Sequence, residues 1–170
     1  MSQTATLVPV EEYLRTSYKP ACDYIDGVLR RKAMPTKKHS RLQGNAMTLV
    51  ARDWPMYEAL PELTVRIRER KYLVPDLAVM LRGDDGDPYP AEPVHLCVEI
   101  LSPDDRLSAM AAKCEEYHAW GVAYTWILDP QERRAFQYDA GHGLAELPPD
   151  GVLRAGEIAI RCADIFPALD

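Results

Sequence analysis

Two segments of the chain, residues 94–101 (VHLCVEIL) and 124–128 (YTWIL), are apolar at nearly every position instead of at every second one. A strand with one wet face alternates polar and apolar residues, so these two require cover on both sides. Between them lies a helical segment that opens at Pro103-Asp104-Asp105 and runs through Trp120. Its acids stand at the N-terminal end, where the helix dipole favours them, and Gly121 is its stop. A strand, a helix and a second strand in that order build a parallel pair within a covered central sheet.

The other segments place further strands around this pair. Residues 22–33 (CDYIDGVLRRKA) read as a hairpin turning at Asp26-Gly27, the dipeptide that best fits a tight two-residue turn. Residues 9–17 predict a short opening helix. Residues 40–60 predict a longer one, with Leu42, Met47, Leu49 and Val50 inward, ending before Pro61. Residues 63–70 and 73–81 predict two strands, followed by a Gly-, Pro- and Asp-rich surface loop over 82–93. A strand over 135–138, short strands and a terminal turn complete the chain. The expected class is α/β in the mixed-sheet (α+β) sense: a central mixed β-sheet flanked by helices. At 170 residues the chain, 1–170, reads as one domain, able to bury roughly 70% of its unfolded surface without disulfides.

No apolar run approaches the ~18 residues of a membrane span, and the first residues lack the basic-then-apolar pattern of a leader. Cys22, Cys97, Cys114 and Cys162 are widely separated and form no ligand-spaced pair, so they read as reduced, buried small hydrophobes. A cytoplasmic protein without a membrane partner is the expectation.

The chemistry is signalled by acids in the wrong place. Asp76 sits in LVPDLAVML and Glu99 in HLCVEILS, each between residues that favour burial. An ionised carboxylate there is very costly unless a cation or a set of hydrogen bonds compensates it. A candidate cation follows from helical spacing. Arg106, Met110, Lys113, Tyr117 and Trp120 share one face of the 105–120 helix, the face that packs back over the strand carrying Glu99. Asp76, Glu99 and Lys113 therefore form a candidate catalytic trio. Two carboxylates offer hard oxygen ligands to Mg²⁺ or Mn²⁺, and a lysine can orient a water or stabilise charge developing on a phosphate. Tyr117 is expected to pack beside Lys113 and bond within the site, short of catalysis.

The net charge of −6 argues against coating nucleic acid by bulk electrostatics. Residues 30–41 (RRKAMPTKKHSR) nonetheless carry Arg30, Arg31, Lys32, Lys37, Lys38 and Arg41 with no acid among them. Arg30, Arg31, Lys37, Lys38 and Arg41 are the candidate phosphate contacts, and His39 among them could touch a phosphate or assist a base. A second cluster, Arg66, Arg68, Arg70 and Lys71, is interrupted only by Glu69.

Several of these landmarks recur in a known order. Val74-Pro75-Asp76, Val98-Glu99-Ile100-Leu101-Ser102-Pro103, Lys113 with Tyr117, Gly121-Val122 and Trp126-Ile127-Leu128-Asp129-Pro130 resemble the Uma-type family of restriction endonucleases, part of the PD-(D/E)xK nuclease superfamily. Asp23-Tyr24-Ile25-Asp26-Gly27 and His39 are similar to it as well, so the resemblance spans roughly residues 8–168. It implies a restriction-endonuclease-like core. Asp76 and Glu99 would be metal ligands, with the backbone carbonyl of Ile100 as a further one. Leu101 occupies the superfamily's usual lysine position, and the Uma-type pattern moves that lysine to the following helix, at Lys113. Asp23 stands where the family commonly has glutamate, so it is an accessory candidate.

The leading expectation is a Mg²⁺-dependent endonuclease acting on DNA. The alternatives are a nucleic-acid-binding or protein-interaction module without turnover, and an enzyme for other anionic substrates. A homodimer is expected, because both-strand cutting favours two copies and residues 54–57 look exposed and apolar.

Overall fold

Proline and glycine decide where the elements break. In the computed structural model, which describes residues 7–83, 86–139 and 141–166, Asp26 and Gly27 take positive φ of 51° and 95°. That is the geometry a two-residue hairpin turn needs, and it pairs Ile25 with Val28. The elements run α1 (Val10–Arg15), β1 (Cys22–Ile25), β2 (Val28–Arg31), α2 (Lys37–Asp53), β3 (Tyr57–Pro61), β4 (Val65–Arg68), β5 (Lys71–Leu73) and β6 (Leu77–Leu81). There follow β7 (Leu96–Ile100), α3 (Leu107–Trp120), β8 (Tyr124–Asp129), β9 (Arg134–Asp139), β10 (Gly143–Leu147), β11 (Val152–Ala155), β12 (Ile158–Arg161) and α4 (Cys162–Ile165).

A six-stranded sheet, ordered β10-β9-β8-β7-β6-β3, forms the centre. Its β7 and β8 are parallel and every other neighbouring pair is antiparallel, as the doubly apolar segments and flanking hairpins require. All five residues of β7 are buried. Leu77, Val79, Leu96, Val98, Ile100, Trp126 and Leu128 project from one face to meet Leu42, Ala46, Leu49 and Val50 of α2 and the β11–β12 hairpin. The alternate residues Ala78 and Cys97 face the other way, against Val65, Leu73 and Tyr117. That second face is covered by α3 and by a four-stranded sheet, β2-β1-β5-β4. Glu99 shares the parity of Cys97 and so projects toward α3.

Several boundaries differ from those read in the sequence, α2 starting at Lys37 and β4 spanning only Val65–Arg68 among them. The helix expected over 40–60 ends at Asp53, because Pro55 disfavours helical backbone at Trp54. Residues 57–61 are instead the edge strand β3, paired with β6. The strand expected over 73–81 is cut at Pro75 into β5 and β6, which belong to different sheets. The acids at 104–105 precede α3, whose first turn holds none. Asp105 instead folds back to accept a hydrogen bond from the Ser102 N–H at 2.8 Å. The stretch proposed for a dimer contact is also less exposed than expected: Tyr57 is buried and Trp54 half-buried, leaving Met56 exposed.

Gly121 closes α3 in the left-handed region at φ 119°, and a Cβ there would lie 2.8 Å from Pro93 Cγ. Gly121→Ala is expected to cost more than about 1 kcal/mol, since both backbone and space resist it. Urea unfolding reads this directly, and an unchanged midpoint would refute it.

Candidate functional site

Where the two sheets meet, three buried carboxylates and two ammonium groups converge. Asp76 lies in the turn between β5 and β6, held there by the sheet change after Pro75, and is 3% exposed. Its Oδ2 accepts from the Ile100 N–H at 2.6 Å. Its Oδ1 lies 2.7 Å from Lys32 Nζ and 3.3 Å from His39 Nε2. Glu99, in β7, is 1% exposed. Its Oε1 accepts from the Tyr117 hydroxyl at 2.6 Å and lies 3.0 Å from Lys113 Nζ. Lys113 also lies 3.1 Å from Asp23 Oδ2 and donates to the Val74 carbonyl at 3.3 Å. Asp23 Oδ1 accepts from the Val74 N–H at 2.7 Å, which locks β1 to the end of β5.

The helical-face argument thus identifies the correct side of α3: Lys113 points into the acids. The structure brings together Asp23, His39, Asp76, Glu99, Lys113 and Tyr117. It adds Lys32, which follows β2 and lies 3.8 Å from Glu99 Oε2 as well as against Asp76. Lys32 was concealed in a run of bases. The hairpin register is the signal that finds it, because Arg30 pairs with Asp23 and residue 32 shares that parity.

The charges do not share the acids equally. Burial works to raise the Asp76 carboxyl, but Lys32 and His39 outweigh it and hold it below the usual carboxylate range. Burial, with Asp76 and Asp23 nearby, raises Glu99 against the pull of Lys113 and Lys32. Three acids share two lysines, and Glu99 carries the shortfall. Burial works to lower Lys113, yet Glu99 and Asp23 prevail and keep it above its ordinary value. The surrounding acids therefore favour the cationic form of Lys113, which can orient a water or stabilise negative charge. His39 Nδ1 is buried without a hydrogen-bond partner.

The cluster opens through a cleft of about 110 Å³, walled by Asp23, Lys32, His39, Asp76, Glu99 and Lys113. Arg30, Arg31, Ser102, Asp105 and Met110 also line it. Lys37 and Lys38 are exposed on the first turn of α2, and half-buried Arg41 follows; none of the three lines the cleft. The second basic cluster is held by acids: Arg66 by Asp87, Arg68 and Arg70 by Asp26, and Lys71 by Glu116. A larger groove of about 800 Å³ lies between β3, β6 and residues 86–95, mostly apolar and sharing no residue with the acids.

As to metals, no group of three His, Cys, Asp or Glu side chains among the described residues has the arrangement of a metal site. The donors Asp76, Glu99 and the Ile100 carbonyl are hard oxygens. They suit Mg²⁺, which binds through one or two carboxylates and keeps several waters.

Asp76 held ionised in the fold contributes stability that is present above its unfolded value near 4 and is lost as pH falls below it. The difference in urea-unfolding free energy between wild type and Asp76→Asn should be greatest near neutrality and shrink between about pH 5 and 2. A constant difference over that range would contradict an ionised, partnered Asp76.

Comparison with known proteins agrees with this architecture. The Uma2 family, described as "Putative restriction endonuclease", matches residues 10–167. A crystal structure of a protein described as a putative nuclease, from Anabaena variabilis, superposes with a TM-score of 0.80 at 24% identity, covering 96% of this chain and 99% of that one. At that identity it shows the fold: the mixed central sheet with flanking helices of a restriction-endonuclease-like core. No curated protein matches. No helix among the described residues is long and apolar enough to cross a membrane. With the match covering all but the ends of the sequence, the chain belongs to the Uma2 family of restriction-endonuclease-like nucleases.

Proposed function

We propose that the chain is a divalent-metal-dependent endonuclease that hydrolyses phosphodiester bonds of DNA. The observation that carries this reading is the convergence of Asp76, Glu99 and Lys113 at a cleft whose lining includes Arg30 and Arg31. Asp76, Glu99 and the Ile100 carbonyl would hold Mg²⁺ or Mn²⁺. A bound metal of this kind supplies an acidified water and charge neutralisation at a phosphate oxygen.

The chain's own groups do the rest. The Ile100 N–H fixes one Asp76 oxygen and the Tyr117 hydroxyl fixes one Glu99 oxygen, so both carboxylates are oriented before substrate arrives. Lys113, whose cationic form Glu99 and Asp23 favour, stabilises negative charge growing on the attacked phosphate. His39 lines the cleft with Nε2 3.3 Å from Asp76 Oδ1, where it would hold that carboxylate and assist the base. Arg30 and Arg31 bind flanking phosphates, and Lys37, Lys38 and Arg41 extend that contact along α2.

Asp23 ties Lys113 in place and is an accessory group. One observation favours a second reading: Lys32 already sits against Asp76 and near Glu99. If it stayed there under all conditions, the chain would bind nucleic acid without cutting it.

Supercoiled plasmid separates these readings. Nicking with Mg²⁺ or Mn²⁺ should fall at least about 100-fold in Asp76→Ala, Glu99→Ala and Lys113→Ala. Equal cleavage by wild type and all three variants would mean contamination and refute the nuclease reading. Neutralising Arg30 and Arg31 together should weaken DNA binding and lower the salt slope by about 1 per lost phosphate contact. An unchanged slope would remove them from the interface.

A further inference from the structure

We propose that the Lys32 ammonium occupies the divalent-cation position of this site, so that a metal ion enters only by displacing it. The inference rests on the reading of Asp76 and Glu99 as metal ligands and adds an internal competitor for them. Lys32 Nζ lies 2.7 Å from Asp76 Oδ1, 2.7 Å from the Val74 carbonyl oxygen and 3.8 Å from Glu99 Oε2. It is a cation held among three hard oxygens, the donor class that Mg²⁺ and Mn²⁺ select. The two lysines divide Glu99 between them. Lys113 takes Oε1 and Asp23, whereas Lys32 faces Oε2 and the Asp76 oxygen not bonded to Ile100. Asp76 Oδ1 and Glu99 Oε2, the carboxylate oxygens that would hold a metal, are the ones Lys32 spans.

Formal charge points the same way. With His39 counted as the neutral imidazole, Asp23, Asp76 and Glu99 against Lys32 and Lys113 leave one negative charge in excess. A divalent ion added beside both lysines would reverse that to one positive charge, whereas a divalent ion in place of Lys32 balances the site. Buried net charge of either sign is costly, so exchange is favoured over addition.

The exit path is also built in. The backbone of Lys32 is fixed by its N–H bond to the Ala21 carbonyl at 2.9 Å. Its side chain, 14% exposed, is followed by exposed Ala33, Met34 and Pro35. Rotamer changes alone can swing the ammonium into solvent while β2 stays paired. Lys113, on the inner face of α3, is held instead by Glu99 Oε1, Asp23 and the Val74 carbonyl, away from the Asp76 oxygen that Lys32 covers.

Calorimetric titration with Mn²⁺ tests this on the full chain. Lys32→Met should bind Mn²⁺ at least ten-fold more tightly than wild type, and Lys113→Met, which removes a charge without vacating the position, should gain much less. Equal gains in both variants would mean a general field effect and overturn the proposal, as would unchanged or weaker binding in Lys32→Met. Wild type supplies a second measurement that does not depend on the variants folding. Reductive methylation followed by peptide mapping should find Lys32 protected without metal and several-fold more reactive in saturating Mg²⁺, with Lys113 unchanged. Lys32 reactivity that ignores Mg²⁺ would overturn the proposal. Binding in the predicted order with no nicking by any variant would sink the nuclease reading and leave this one standing. Metal-dependent nicking without tighter binding by Lys32→Met would do the reverse.

Discussion

Three carboxylates enclosed between two sheets, with only two lysines to answer them, are the constraint on which the rest of the structure depends. Each acid belongs to a different segment: Asp23 to β1, Asp76 to the turn after β5, Glu99 to β7. Their partners cross between layers. Lys113 of α3 ties β1 to β7, and Lys32 ties the end of the hairpin to the turn before β6. The same bonds that orient the acids hold the small sheet against the large one. Removing one partner of such a buried set typically costs about 3–5 kcal/mol, because the charge left behind has no water to turn to.

Comparing the chain's pattern with its fold shows which physical signals are local. The parallel pair β7–β8 was legible because two-sided burial leaves no polar alternation, and the hairpin because Asp26-Gly27 suits only a tight turn. Lys113 was legible because a helix repeats its faces and a lysine among Met110, Tyr117 and Trp120 needs an acid. The strand β3 was not, since its residues YEALP follow a helix without changing hydrophobic period, and only pairing with β6 makes them a strand. Lys32 escaped for a related reason. Its neighbours Arg30 and Arg31 look the same in sequence; the register of the hairpin separates it from Arg31, and only the reach to Asp76 and Glu99 beyond the end of β2 separates it from exposed Arg30.

The acidic character of the chain gains a meaning from this arrangement. Of the two basic clusters visible in the sequence, the one around Arg68 is spent on internal pairs, Asp26 accepting from both guanidinium nitrogens at 2.8 and 2.6 Å. Of the other, Arg30, Arg31 and Lys32 line the acid cleft, where their charge offsets the carboxylates. In both clusters, positive charge stands where it offsets acids.

The site's residues lie at positions 23, 32, 39, 76, 99 and 113, and most of the cluster's bonds join residues more than 30 positions apart, Lys32 to Asp76, His39 to Asp76 and Lys113 to Asp23 among them. Such non-local contacts form late in folding, after the loops between them have closed. A partly synthesised or partly folded chain therefore has its acids scattered and solvated, without the lysine that fixes their geometry. A chemistry that needs this cluster thus needs the completed fold, because no fragment short of it holds the acids and lysines in register.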